Sequence, residues 1–521
     1  MSSIAIERIR HSIINTVGIG RYGVMFPTVY DTAWLARIPA EYDPTVPAFP
    51  RALEWVRQKQ FPDGSWGGEI EYAHERIIST LAAILALAKW RGECANEIIA
   101  RGIEYIWRRI DRLENEHETI GFEVIVPTLL KQCRDLKFRL PYAAFERYER
   151  MCEEKLTKIP PSMHYSKDTP LAFSLEFMGD VYDPRFQFPL ERNGSVAMSP
   201  SATAYLLTKD TGNVAARRYI NQMAETYDDK APQVFSFDVF ETAWCLWNLF
   251  LGESDTMNHN AQVARHIKDL EETLNRKNGV GFDSEYSVVD ADETAIVFRV
   301  LRQAGLNPNL DYLRQFERDE YFVCYLTERN PSTSANIHIL EALKGIDEMD
   351  TSKIVTWLRD EQRDGGYWVD KWHASPYYAT SHAVIALVGT DNNLAKSAVE
   401  WILDTQRFDG GWGYYDNSTA EETAYCLQAL SIYNRSVEPI DQSVLAQGRK
   451  RLIECMTEMP ALWIGKCLYT PVKVVESAIC SALMMTELYD DVTTDLTSLT
   501  MSYSMIIPHL LTRDGVQLWL P

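Results

Sequence analysis

Gln406-Arg407-Phe408-Asp409-Gly410-Gly411-Trp412-Gly413 decides the fold because it recurs along the chain. It stands earlier as Gln60-Phe61-Pro62-Asp63-Gly64-Ser65-Trp66-Gly67 and, more loosely, as Gln362-Arg363-Asp364-Gly365-Gly366-Tyr367-Trp368. Asp-Gly supplies a turn, and the flanking Gln and Trp can tie a helix end to the next helix start. A second phrase follows such turns and opens helices: Asp31-Thr32-Ala33-Trp34, Ala202-Thr203-Ala204-Tyr205, Glu241-Thr242-Ala243-Trp244, Glu293-Thr294-Ala295 and Glu422-Thr423-Ala424-Tyr425. Each leads an apolar stretch at helical spacing, such as Ala295, Val297, Phe298 and Leu301. Repeats at about 50 residues imply stacked helical hairpins. Strand signals are sparse and no Gly-rich phosphate loop occurs. The expectation is an all-α fold of two closed α/α barrels, since the repeats form two groups, before and after roughly Tyr227.

At 521 residues the chain is too long for one ordinary core. Its net charge of -21 argues against a nucleic-acid partner and against stable attachment to anionic membranes. The apolar stretch at 79–88 is far shorter than the roughly 20 residues that span a bilayer, and residues 1–10 lack a signal peptide's apolar core. The 9 cysteines include no Cys-x-x-Cys pair, so a reducing cytoplasm is expected. The 14 Trp, 26 Tyr and 19 Phe suit large cores and equally suit cavities for apolar or cationic species.

The most chemical segment is Asp290-Ala291-Asp292-Glu293-Thr294-Ala295. Two readings fit it. Acids cap helices and complement the dipole, and Glu293-Thr294-Ala295 repeats the helix-opening phrase. Alternatively, crowding and burial hold a proton on one carboxyl while the helix N-terminus makes that proton more acidic, as protonation of an alkene demands.

The segment resembles the Asp-x-Asp-Asp motif of class II terpene cyclases, the group containing copalyl diphosphate synthases and squalene-hopene cyclases. Tyr30-Asp31-Thr32-Ala33-Trp34, Gly121-Phe122-Glu123, Ser199-Pro200-Ser201-Ala202-Thr203-Ala204, Asp370-Lys371-Trp372 and Trp463-Ile464-Gly465-Lys466 resemble phrases of the bacterial and plant diterpene branch. The resemblance implies a βγ architecture. Residues 1–18 and 226–521 would form the β domain with the acid motif, and 19–225 a γ domain inserted after the first β helix. It implies protonation-initiated cyclisation of geranylgeranyl diphosphate to a bicyclic diterpenyl diphosphate, an isomerase reaction that retains the diphosphate. The product would pass to a separate class I terpene synthase or phosphatase.

By that likeness Asp292 is the proton donor, Asp290 tunes it, Glu293 replaces the usual final Asp, and Asn336 hydrogen-bonds the donor. Lys155 and Lys371 resemble diphosphate-binding lysines. The acidic run at 111–118 lies where plant relatives carry a Mg²⁺-linked motif, which makes Glu114 and Glu116 weak candidate ligands; a solvated helix face fits as well. Asp490-Asp491-Val492-Thr493-Thr494-Asp495 is one residue too long for the ionising Asp-Asp-x-x-Asp cluster. Phe173 and Gln233 occupy positions where plant copalyl synthases place a deprotonating His and Asn. Phe cannot take a proton, so a rearranged skeleton, halimadienyl or kolavenyl diphosphate, is expected ahead of copalyl.

Other classes remain in view. A drimenyl diphosphate synthase would use the same fold and acid on farnesyl diphosphate, and a non-catalytic helical-repeat scaffold would explain the repeats alone. A protein prenyltransferase subunit needs an Asp-x-Cys zinc pair, which the chain lacks.

Overall fold

The computed structural model describes residues 3–90, 95–114, 117–183, 185–252, 257–328 and 330–489. Two rings of inner helices, each wrapped by outer ones, follow from the repeated phrases. In the first, α2 (Val29–Ala36), α4 (Ala73–Trp90), α6 (Phe122–Asp135), the 3-10 segment Pro170–Met178 and α8 (Pro200–Lys209) each pack on the next, and α8 closes on α2. Outside them lie α3 (Pro50–Gln58), α5 (Ala95–Arg109), α7 (Glu146–Lys158) and α9 (Val214–Tyr227).

The second ring is larger. Its inner helices are α10 (Asp238–Gly252), then α12 (Ala291–Gln303) and α14 (Thr333–Ala342), followed by α16 (Pro376–Leu387), α18 (Ala420–Ser436) and α20 (Val472–Met485), and α20 closes on α10. Between them run the outer helices α11 (Ala261–Lys277), α13 (Asp311–Arg314), α15 (Ser352–Glu361), α17 (Asn392–Asp404) and α19 (Gln442–Cys455). The remaining outer place, against α20, α10 and α11, is filled by the N-terminal helix α1 (Ser3–Thr16). The chain therefore leaves this ring after α1 and re-enters it at α10. The two crossing segments run side by side, with Thr28 N–H donating to Ala231 O at 2.9 Å and Phe237 N–H to Tyr22 O at 3.2 Å.

Sequence explains which helices are inner. Every residue of α16 is buried, whereas α11 buries Val263, His266, Ile267, Leu270 and Leu274, one stripe at helical spacing. The turn phrases act as clamps. Indole N–H groups of Trp66, Trp368 and Trp412 donate to Val56 O, Leu358 O and Ile402 O, at 2.7, 2.8 and 2.7 Å, in the preceding outer helix. Gln60 and Gln406 amides donate to Ile98 O and Val444 O, and Gln362 to Ser397 Oγ, all in the next outer helix. Backbone N–H groups of the same three tryptophans donate to Thr80, Thr380 and Thr423 hydroxyls at 3.1, 3.0 and 3.0 Å, near the inner helix start. Gly366 lies at φ +96°, and a Cβ there would stand 2.5 Å from Ser397 O.

One element departs from the all-helical expectation. Trp463–Ile464 and Leu468–Tyr469 form a short antiparallel hairpin, paired Trp463 with Tyr469 and Ile464 with Leu468. It bridges the rings: Ile120 N–H donates to Gly465 O at 2.8 Å from the first, and Ile464 N–H to Trp372 O at 2.8 Å in the second.

Trp412→Ala should cost ~3–5 kcal/mol of unfolding free energy and Trp412→Phe about 1 kcal/mol, read from urea titration. Equal losses would show that the clamp acts by volume alone. Burial also pushes Glu241 up to about 7 from its usual 4.5. The folded state then binds more protons than the unfolded one between those values, so stability is complete below pH ~4.5 and falls as pH rises through 7, by roughly 3 kcal/mol for this group. Glu241→Gln should flatten that part of the Tm-against-pH curve; an unchanged slope would rule the assignment out.

Candidate active site

The acid segment sits where α12 begins. Asp290 is the N-cap: its backbone is extended (φ -135°, ψ 161°), and its Oδ1 accepts the Glu293 N–H at 2.8 Å. Burial raises the Asp290 carboxyl well above its ordinary range; Asp292 adds to the rise and the Lys371 charge opposes it. Glu293 is likewise raised by burial, and further by Asp290 and Asp292, with the Trp244 indole pulling the other way. Burial and crowding thus favour the protonated form of both flanking carboxyls.

Asp292 is held differently. His338 Nδ1 lies 2.6 Å from Asp292 Oδ1, and His338 Nε2 lies 2.9 Å from His382 Nδ1. Burial lowers the His382 pKa well below 6.5, and His338 and His373 lower it further, so His382 stays neutral. Its Nε2 is buried with no partner. A bare acceptor is cheaper to bury than an orphaned donor, so we assign the His382 proton to Nδ1. That proton points at His338 Nε2, which places the His338 proton on Nδ1, donating to Asp292 Oδ1. A donor on one carboxyl oxygen stabilises the charge left when the other gives up its proton.

Asn336 does not make the bond expected of it. Its amide accepts from Phe322 N–H at 2.9 Å and donates to Phe322 O and Ser332 O, both at 2.8 Å, pinning the loop before α14. Two residues along a helix are about 200° apart, so Asn336 and His338 face opposite ways, and only His338 meets α12. The missed signal was the repeat period itself: Asp292 and His338 are 46 residues apart, and His338 and His382 are 44 apart.

Around the acid the ring axis is lined with aromatics. Trp244 contacts His338 at 5.0 Å, His382 at 5.7 Å and Trp463 at 5.8 Å between centroids. Tyr378 stacks on His373 at 4.8 Å and touches Trp463 at 5.1 Å. Glu421, fully buried at the start of α18, accepts from the Trp463 indole at 2.6 Å and the Tyr425 hydroxyl at 2.9 Å, with His373 Nε2 at 3.3 Å.

The other predicted residues are spread over both rings. Lys371 donates to Glu328 Oε1 at 2.5 Å and stands near the acid, where its charge lowers Asp290 and Asp370. Lys155 pairs with Glu123 in the first ring. Phe173 lies 4.6 Å from the Lys466 ammonium and 6.3 Å from the Phe282 ring. Its face is already occupied by the Lys466 cation, and it offers no base. Gln233 is buried, its amide donating to Asp31 Oδ2 at 3.2 Å and accepting the Lys466 backbone N–H at 2.7 Å, and a Cβ on Gly465 would collide with it. It packs the hairpin. Lys466, unread as a charge in the sequence, is buried and donates to Glu176 Oε1 at 2.7 Å, Phe173 O at 2.8 Å and the Ser199 and Ser201 hydroxyls at 2.8 and 2.5 Å.

The magnesium expectation finds no support in the donor set. Glu114 ends an exposed 3-10 turn and Glu116 lies outside the described residues, as does the Asp490–Asp495 cluster. Among the described residues no group of three His, Cys, Asp or Glu side chains is placed to hold a metal. A groove of about 690 Å³ opens between the rings beside Met25, Trp55, Phe61 and Tyr469, but Asp292, Lys155, Lys371 and Phe173 do not line it. The chemistry is read from the acid and its aromatic walls instead.

Residues 328–434 match the squalene-hopene cyclase C-terminal domain family and residues 43–134 the prenyltransferase alpha-alpha toroid domain. The chain is 34% identical over 490 residues to a type B diterpene cyclase of Mycobacterium tuberculosis, covering 88% of this chain and 95% of that one. The chain belongs to the class II diterpene cyclases. It is also 33% identical over 369 residues to a bifunctional levopimaradiene synthase of Pinus taeda, covering 67% of this chain and 42% of that longer protein. Among solved structures, the ent-copalyl diphosphate synthase of Streptomyces platensis superposes with a TM-score of 0.74 at 26% identity, covering 93% of this chain and 99% of that one. As a class II diterpene cyclase the protein is an isomerase-type enzyme with a toroidal helical fold. No helix among the described residues is long and apolar enough to cross a membrane.

His338→Phe keeps the ring volume and removes Nδ1. We expect kcat for this cyclase to fall ~100-fold and the pH profile to shift, with a modest loss of Tm because the buried His382 N–H loses its acceptor. Wild-type kinetics in this variant would dismiss the histidine pair as packing.

Proposed function

We propose that this cyclase protonates the terminal alkene of geranylgeranyl diphosphate and closes it to a bicyclic diterpenyl diphosphate with the diphosphate intact. The observation that carries the reading is the Asp292–His338–His382 chain, buried in an aromatic wall and flanked by two carboxyls that burial pushes up. Asp292 gives its proton to carbon. The alkene electron pair forms the new C–H bond, the cation is captured in turn by the next alkenes, and the Trp and Tyr faces stabilise the charge as it moves. His338 donates to the carboxylate left behind, and a proton from solvent restores the acid.

Lys155 and Lys371 are the cations we assign to the diphosphate, each exchanging its glutamate partner for phosphate oxygen. The two rings then act as a γ domain over 19–225 and a β domain over 1–18 and 226–521. The enzyme works in the cytoplasm and hands its product to a class I synthase or a phosphatase. With Phe173 offering no proton acceptor, early deprotonation is slow and hydride and methyl shifts run on, which favours a halimadienyl or kolavenyl skeleton over copalyl.

Incubation with geranylgeranyl or farnesyl diphosphate, phosphatase treatment and product identification by mass spectrometry and NMR tests this. A rearranged bicyclic C20 alcohol is expected. Asp292→Asn should reduce cyclisation by ~1,000-fold or more with the fold retained, and Phe173→His should divert product toward the unrearranged skeleton. Wild-type copalyl alcohol would keep the reaction and discard the Phe173 argument. A drimane alcohol from the C15 substrate alone would change the substrate. Full activity in Asp292→Asn would discard the mechanism.

A further inference from the structure

A cyclisation begun by a proton must end by losing one, and the residues considered so far supply no acceptor. Asp290 Oδ1 is committed to the Glu293 N–H, Glu293 adjoins the donor itself, Phe173 has no basic atom, and His382 belongs to the donor's own hydrogen-bonded chain through His338. His373 has its Nδ1 taken by the Ser375 N–H at 3.1 Å.

Glu421 is arranged otherwise. Indole, phenol and imidazole groups converge on its Oε1, while Oε2, equally buried, meets no hydrogen-bond donor. Trp463, Tyr425 and His373 surround it, and Tyr378 joins this group to the acid side, touching His338 at 6.3 Å and His373 at 4.8 Å. Trp463, the indole donor to Glu421, lies 5.8 Å from Trp244, which lies 5.0 Å from His338, so one continuous set of aromatic rings links the two carboxyl centres. Glu421 therefore sits across the ring from the proton donor, on a different inner helix, with one oxygen committed and one open. The Glu422 beside it begins the helix-opening phrase: its Oε1 accepts the Tyr414 N–H at 2.8 Å and its Oε2 the Thr419 hydroxyl at 2.7 Å. Glu421 has no such structural duty for Oε2.

We infer that Glu421 is the terminal base of the reaction proposed above. A C–H bond next to the final cationic carbon breaks, its electron pair becomes the product alkene, and the proton passes to Glu421 Oε2. The product leaves neutral in its ring system, and the carboxylic acid then returns its proton to solvent.

The test is Glu421→Gln in the full chain with geranylgeranyl diphosphate. The amide oxygen still accepts from Trp463, so folding is expected to survive, checked by Tm. A base contributes about 10²–10⁴-fold to its step. Substrate should still be protonated and cyclised, but the wild-type alkene should fall ~100-fold in share, giving way to alkene isomers or a water-captured alcohol. Unchanged product ratios, at whatever overall rate, would overturn the assignment, because a purely structural glutamate alters stability and not partition. Should Glu421→Gln fail to fold, Glu421→Asp retains the charge and withdraws it by about one bond, ~1.5 Å; the same shift in products supports the base and the same constancy overturns it. Absence of cyclised product from the wild-type enzyme would remove the proposed reaction itself, whereas wild-type cyclisation with indifferent variants would remove only Glu421.

Discussion

The structure rests on a single hydrogen bond repeated around both rings: a backbone N–H of the turn preceding an inner helix donates to a threonine hydroxyl near that helix's start. Beyond the three tryptophan turns it recurs at Val196–Thr203 and Val280–Thr294, at 2.9 and 3.1 Å, and Ala231 of the second crossing segment makes the equivalent bond to Thr32 of α2 at 3.0 Å. Helix N-termini carry unsatisfied donors and cannot be buried without partners. By fixing the turn against the early helical residues, the threonine lets α12, α16 and α18 of the larger ring start deep in the protein and at one end. A site built from helix starts follows from that constraint, because the residues best held are those beside the threonine.

The carboxyl before the threonine is normally part of the same device. Glu241 accepts the Val24 N–H at 2.7 Å, Glu422 the Tyr414 N–H at 2.8 Å, and on α4 a glutamate displaced to the first turn, Glu75, accepts the Gly68 N–H at 3.1 Å. Burial pushes Glu75 and Glu241 each to about 7, a cost the packed rings absorb. Glu293 occupies the same place, yet its Oε2 is left without a donor. The cap and acid readings of residues 290–293 are therefore both correct, for different residues. Asp290 is the cap, Glu293 is the repeated acid released from its backbone duty, and Asp292 is the carboxyl added between them that a histidine meets.

This separation explains what could be read in the sequence. The turn phrase was legible because Asp-Gly, Gln and Trp each act within about one helical hairpin of where they stand, as did the helix starts they define. The partner of Asp292 was not, because Asn336 and His338 differ by two positions and only the packing of α14 on α12 says which faces inward. The role of Lys466 was hidden for a similar reason: Glu176 is 290 residues away and belongs to the other ring. Its burial comes from the hairpin at 463–469, whose strands are only two residues each and too short to announce themselves by alternation.

That hairpin gives the buried Lys466 its meaning. Withdrawing an ammonium and a carboxylate from water costs several kcal/mol per ion, and a buried pair seldom repays this as stability. Here Lys466 has four acceptors in the first ring while Trp463, three residues earlier, donates to Glu421 in the second. Apolar packing would hold such a hairpin as firmly but would permit it to slide, since apolar contacts are not directional. Three N–H donors shared among four acceptors at one end and one indole bond at the other fix how far Trp463 reaches among the aromatic rings. The ion pair thus sets the position of the wall on which a carbocation must be supported, and its energetic cost is the cost of that precision.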